Sequence, residues 1–329
     1  MKKMSGWQKA GLFAGVGCFS IVLVLVIGVG VAVFMAKSTL AGYGDPTPTR
    51  VERSIALPAP AATTPERDDT TAAARTGNDP LWLTIDLEEG SFTVRPGPPG
   101  SQVTVDGTYP AALYELSERQ DTDIAGRAPR TTIRFRSKAP AWVRMLGGMG
   151  GDGESRRPAV TVLIPAGVPI DLSLRVSTGQ SRIDLGGLTL SELGLDLTVG
   201  NHQLDFKEPV VGGLRRIRLN AGMGNITVEN LGNARAQAID ATGSMGNLTA
   251  DLGGGWQPGS SNDLSFTHSM GQLTLNVPTR VRLEANVTTA QGGQSQPRSS
   301  DARETDDPKA PTLRLRVTSS MGESHIVRY

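Results

Sequence analysis

Met223, Met245, Met270 and Met321 each stand immediately before a glycine, and His268 and His325 lie two residues before and four after members of that set. Thioethers and imidazoles aligned on one surface would ligate a soft ion such as Cu(I). The preferred reading is plainer: unbranched Met fills an irregular edge of a core, and identical residues at one position are what any repeat produces. Asp184, Asp205 and Glu229 also recur at comparable positions. Carboxylate pairs can hydrolyse glycosides, but Thr or Asn replaces these acids in later units, as on an ordinary solvated face. Glu88-Glu89 and Asp306-Asp307 read as solvated turn or loop residues. Asn225-Ile-Thr, Asn247-Leu-Thr and Asn286-Val-Thr match a glycan acceptor, two of them being the repeat itself, and are expected to be unmodified. There is no phosphate-binding Gly-x-x-x-x-Gly-Lys-Ser/Thr, no His-Glu-x-x-His, no EF-hand loop and no Gly-x-Ser-x-Gly. Gly147 to Gly153 lacks the following Lys-Ser/Thr of a phosphate cradle. A single cysteine, Cys18, excludes an internal disulfide framework and a Cys-x-x-Cys site. No catalytic residue, cofactor or metal ligand is assigned, and the chain is not expected to be an enzyme.

The balance of the chain points the same way. Thirty-three Lys and Arg face 32 Asp and Glu, a net charge of +1 over 329 residues, which argues against nucleic acid as a partner. With 38% hydrophobic and 5% aromatic residues but 40 Gly and 21 Pro, the composition suits a turn-rich β protein.

Residues 1–9 carry Lys2, Lys3 and Lys9, and residues 10–36 carry no charge. That apolar run, about 40 Å long as a helix, is long enough to span a bilayer. The positive flank predicts a cytoplasmic N-terminus and an extracytoplasmic remainder, so the lipid bilayer is one expected partner. A cleaved signal peptide with a site at Thr39-Leu40-Ala41 is the alternative, although its apolar core would be unusually long. Cys18 lies inside the run, and Gly15-Val16-Gly17 is no lipobox. Gly11-x-x-x-Gly15 offers a weak helix-pairing face. Residues 37–79 scatter Pro among Thr, Ala, Arg, Asp and Glu without hydrophobic period and are expected to be a disordered stalk.

From residue 80 to 329 the pattern is strand-like. Leu81 to Leu87, Ser91 to Val94, Gln102 to Tyr109, Thr131 to Arg136 and Ala159 to Ile164 alternate as half-buried strands do; Glu88-Glu89-Gly90 reads as a turn. Beyond Asp171 the chain repeats. Gly179, Gly200, Gly224, Gly246 and Gly271 are spaced by 21, 24, 22 and 25 residues, with Gly322 a further member. A period near 23 lies in the solenoid range. Each unit is strand, Gly turn, strand, with one apolar side that only stacking can bury. The Asn or Gln after several of these glycines is placed to bond its counterpart in the next coil. A β-sandwich is the competing architecture. A polar insertion, Thr289 to Pro311, should loop out, and segments 81–165 and Leu313 to Tyr329 are the expected caps.

The run Ile85 to Pro96, the strand Val103 to Tyr109 and the Gly-centred repeats together resemble the bacterial toast-rack family of adhesin-like β-repeat domains. Leu193 to Gly200 is also similar to the C-terminal domain of membrane proteins that respond to cell-wall-active antibiotics. The resemblance covers about 81–329. It implies an all-β toast-rack stack in an envelope protein, adhesin-like or stress-related, with no catalytic motif. The expected partner is then an envelope protein or wall glycan. The 289–311 insertion departs from the pattern, and no sensor or kinase-partner segment is visible. Trp142, Met145 and Leu146, in an apolar loop, either form a contact patch or fold back to cap the first coil.

Overall fold

In the repeat region the last inward side chain before each glycine and the first inward one after it are five residues apart. Leu87 and Phe92, Val176 and Ser181, Leu197 and His202, Ala221 and Ile226, Gly243 and Leu248, and His268 and Leu273 are all buried. On a straight strand an odd spacing sends two side chains to opposite faces. Both can reach one core only if the strand bends between them. The computed structural model shows that bend. It describes residues 47–58, 80–121, 129–140, 157–289, 305 and 307–329, with five isolated positions between 30 and 38.

The domain is all-β. Its strands are β1 (Thr49–Ala56), β2 (Leu81–Gly97), β3 (Gln102–Tyr109), β4 (Tyr114–Asp121), β5 (Arg130–Ser137), β6 (Ala159–Pro165), β7 (Ile170–Asp184), β8 (Leu190–Asp205), β9 (Arg216–Glu229), β10 (Ala238–Asp251), β11 (Ser261–Val277), β12 (Arg282–Thr289) and β13 (Thr312–Arg328). Strands β2, β7, β8, β9, β10, β11 and β13 pair in parallel, in that spatial order. Each is one coil, with a first arm before its glycine and a second arm after it. The register places glycine on glycine throughout: Gly90, Gly179, Gly200, Gly224, Gly246, Gly271 and Gly322 are successive partners. A β-sandwich is thereby excluded. Leu, Ile and Val from both arms fill the space between them. The return segments close the third side with buried residues such as Leu188, Phe206, Leu231 and Trp256. Trp256 donates its indole N–H to the Leu252 carbonyl at 2.7 Å, so burial leaves no donor orphaned.

Both ends depart from the sequence reading. The first coil is β2, whose strand runs through Gly90 where a turn was expected. Beyond β2 the two arms part. The first arm pairs with β5, which pairs with β4; the second pairs with β6, then β3, then β1. Strand β1 corrects the expected stalk over 37–79: residues 49–56 pair with β3 and bury Ile55 and then Leu57. Arg53 donates to the Leu116 carbonyl at 3.1 Å, and Gln120 to that of Ala56 at 2.6 Å, tying the two edges together. Phe135 packs against Phe92, Tyr109 and Tyr114 inside this cap. At the far end β13 returns between β11 and β12. The outer strand of the first arm is therefore β12, and only the second arm ends on β13. The chain between Thr289 and Thr312 links these two strands. The expected spanning segment, 10–36, lies almost wholly outside the described residues, among which no helix is long and apolar enough to cross a membrane.

The bend requires glycine for two reasons. At Gly224 φ is 132°, a region that side-chain-bearing residues rarely occupy. A Cβ there would also overlap the carbonyl oxygen of Gly200, and the same overlap recurs at Gly179, Gly200, Gly246, Gly271 and Gly322 against the preceding coil. Strained φ alone costs of order 1–3 kcal/mol, and the coil contact adds to it. Gly224→Ala is expected to destabilise the domain by at least about 3 kcal/mol in chemical denaturation. Gly100→Ala, with no atom within 4 Å of its Cβ, should change stability by less than about 0.5 kcal/mol. Equal effects would contradict the bend.

Candidate functional site

The outward side chains of the first arms form charged columns. Arg216 lies 3.4 Å from Asp240, Arg218 lies 3.7 Å from Glu192, and Arg314 sits between Asp263 at 3.8 Å and Glu284 at 3.5 Å. Such exposed pairs each contribute about 0–1 kcal/mol, too little to explain the column by stability. Arg216, Asp240, Asp263, Glu284, Arg314 and Arg316 line an open groove of about 600 Å³ across β9 to β13. Sequence reasoning passed over this face. Its signal was the alternation Arg216-Ile-Arg218 and Arg314-Leu-Arg316, which puts two cations on one side of each strand. Trp82, at the opposite end of the face, is half exposed and covered by the Arg130 guanidinium at 4.9 Å.

The second arms present amides instead. Asn225 donates to Asn201 at 3.0 Å and Asn247 to Asn225 at 3.1 Å, as expected for the residue after each turn. Gln180, Arg182, Asn201, Gln203, Asn225 and Thr227 border a polar groove of about 480 Å³. Of the acids at the ends of these arms, Asp184, Asp205 and Asp251 are fastened to turn residues, while Glu229 borders the groove. Asp184 accepts the Gly186 N–H at 3.1 Å and Asp251 that of Gly253 at 2.9 Å. Asp205 is buried and accepts from Asn230 at 2.9 Å, while Glu229 accepts from Gln203 at 3.1 Å. Asp251 continues the column that Asp184, Asp205 and Glu229 begin, a member the sequence reading lacked. Tyr329 donates its hydroxyl to Asp251 at 2.7 Å; burial and that carboxylate push its pKa up to about 12.

The methionines overturn the core-edge expectation. Met223, Met245, Met270 and Met321 are 50%, 47%, 40% and 67% exposed and occupy one column in register. The histidines do not join it uniformly. His268 points inward and is buried over Gly243, where a Cβ would collide with its ring. His325 faces outward, 3.2 Å from Glu323. His202, also buried, shares a 2.8 Å hydrogen bond with Ser181. That serine and imidazole have the separation of a nucleophile and its base, but both are sealed between coils, in a column with Phe92 and Ile226. Among the described residues no group of three His, Cys, Asp or Glu could hold a metal ion. The six turn glycines, Gly179 to Gly322, all lie in the bend column. Trp142, Met145 and Leu146 lie outside the described residues.

Comparison with known proteins bears on the fold. A profile of the N-terminal domain of toast_rack matches residues 63–229, half of the chain. None of the curated proteins matches. Among solved structures, one described as a "putative cell adhesion protein" from Clostridium sporogenes is 10% identical with a TM-score of 0.41, over 86% of this chain and 100% of that one. An adhesin so described from Bacteroides fragilis is 12% identical with a TM-score of 0.34, over 86% and 99%. Another from Parabacteroides distasonis is 13% identical with a TM-score of 0.28, over 85% and 97%. These are distant likenesses of chain path and say nothing of what this chain binds.

The buried histidines make stability depend on pH. Burial pushes the His202 and His268 imidazoles below their ordinary range, opposed by nearby backbone groups. An unfolded imidazole takes up its proton near pH 6.5. Below that point the unfolded chain binds protons that the folded chain resists, so stability falls as pH falls. Asp171, raised first by burial and then by Glu192, has the opposite sign and acts only in the carboxylate range. The melting temperature is expected to be level above about pH 7 and to drop towards about pH 5, with a shallower drop in His202→Gln/His268→Gln. Equal slopes in the two proteins would refute this assignment.

Proposed function

The chain belongs to the toast-rack family, and from that premise we propose that it is a non-catalytic, adhesin-like interaction module of the bacterial cell envelope. In this reading residues 10–36 anchor it in the cytoplasmic membrane with the N-terminus inside, and the β domain contacts an envelope protein outside. The observation that carries the binding role is the broad first-arm face, where charges of both signs stand exposed around an open groove. Such a surface fits a partner presenting its own complementary charges, since electrostatic matching sets orientation and excludes wrong partners. Polysaccharide is the less favoured ligand. The outward aromatic on this face, Trp82, is already covered by Arg130. Asp184, Asp205 and Asp251 of the second arms are engaged at turns, which favours a structural over a hydrolytic role for them.

The test uses the full chain in detergent, immobilised beside its Arg314→Glu/Arg316→Glu variant. Each is incubated with solubilised envelope proteins and, separately, with isolated wall glycan. The expected result is one or a few discrete proteins retained by the native chain and reduced about tenfold or more by the charge reversal, with glycan retained by neither. Unchanged retention by the variant would remove the groove from the account. Glycan binding with cleavage would replace the module by an enzyme.

A further inference from the structure

The methionine column is unexplained by packing or by the charged groove. The equivalent positions in the first three coils are Glu89, Thr178 and Val199, so the bend imposes no Met there. A β-branched residue would suit an exposed strand better. Four thioethers nonetheless follow one another on β9, β10, β11 and β13, each open to solvent. Strands in one sheet lie about 4.8 Å apart, and Met has three rotatable side-chain bonds. Sulfurs on neighbouring coils can therefore swing together onto one ion without moving the backbone. At the terminal coil, Met321 lines a hollow of about 570 Å³ with Glu323 and His325, which adds an imidazole and a counter-charge beside the last thioether.

We propose that this column binds a soft monovalent cation, Cu(I) or its redox-inert analogue Ag(I), through successive methionine sulfurs. Thioether ligands without a charge of their own select a soft ion over hard divalent ions. Met245 and Met270 are the central ligands, flanked by Met223 and Met321. The face is separate from the first-arm groove, so its occupation is independent of the partner proposed above.

The test titrates Ag(I), and Cu(I) under anaerobic conditions with a chromophoric competitor, into the full chain in detergent. A Cys18→Ser background removes the one thiol. The methionine methyl groups carry a 13C label. Saturable binding is expected, with shifts at Met245 and Met270 but not at Met1, Met4, Met35, Met145 or Met149. Met245→Leu/Met270→Leu should weaken the ion by about tenfold or more at an unchanged melting temperature, because Leu conserves volume at an exposed site. Absence of saturable binding, affinity unaltered in the double variant, or shifts confined to the other methionines would each overturn the proposal. The last two results would leave the column as an apolar stripe.

Discussion

The five-residue gap between inward side chains governs the rest of this structure. Five is odd, and a pleated strand cannot send two such residues to one side unless it turns between them. Only glycine allows the turn, because φ is positive from Gly90 to Gly271 and because, from Gly179 to Gly322, the carbonyl of the preceding coil occupies the space of a Cβ. Once one coil bends at its glycine, the next must place a glycine directly above it. Register is thereby set along seven strands by a single column of residues, rather than by many weak pair preferences.

What faces solvent follows from what that column orients. The bend sorts each coil into two outer faces of different chemistry. The first arms carry Arg against Asp and Glu; the second carry an amide ladder and end in carboxylates, of which Asp184, Asp205 and Asp251 are engaged at turns. Between them, beside the glycines, runs the strip that holds methionine. The ends are managed separately. At the N-terminal end the arms diverge into two branches of the same sheet, with Phe135 and its aromatic neighbours packed between them. At the other end β12 covers the first arm, and the Tyr329–Asp251 contact fastens the second.

Much of this was legible in the sequence, and the omissions have physical causes. The recurrent glycines, the apolar positions such as Ile226, Val228 and Leu275, and the amides of Asn225 and Asn247 all repeat at a visible period. Gly90 did not stand out because four intervening strands separate it from Gly179. Strand β1 was hidden because Ile55 and Leu57 sit in a stretch otherwise charged and Pro-flanked, and its partner β3 lies some 50 residues away. The methionines were misread, and His268 left unplaced, for one reason. They lie within or at the border of the five-residue gap, where alternation stops reporting which way a side chain points. The first-arm groove was missed because it gathers residues from five strands, none distinctive alone.

The functional account rests on outward faces that are fixed only if the coils stack glycine on glycine. Distances along the amide column test that directly. Nitroxide labels at Asn201 and Asn225, then Asn201 and Asn247, then Asn201 and Glu323, in the Cys18→Ser background, should report separations growing with coil number. Backbone spacing sets them at about 5, about 10 and about 20 Å. A monotonic increase across the three pairs is the result predicted here. A first pair no closer than the third, as when consecutive strands lie in opposed sheets, would contradict the stack and every surface built on it.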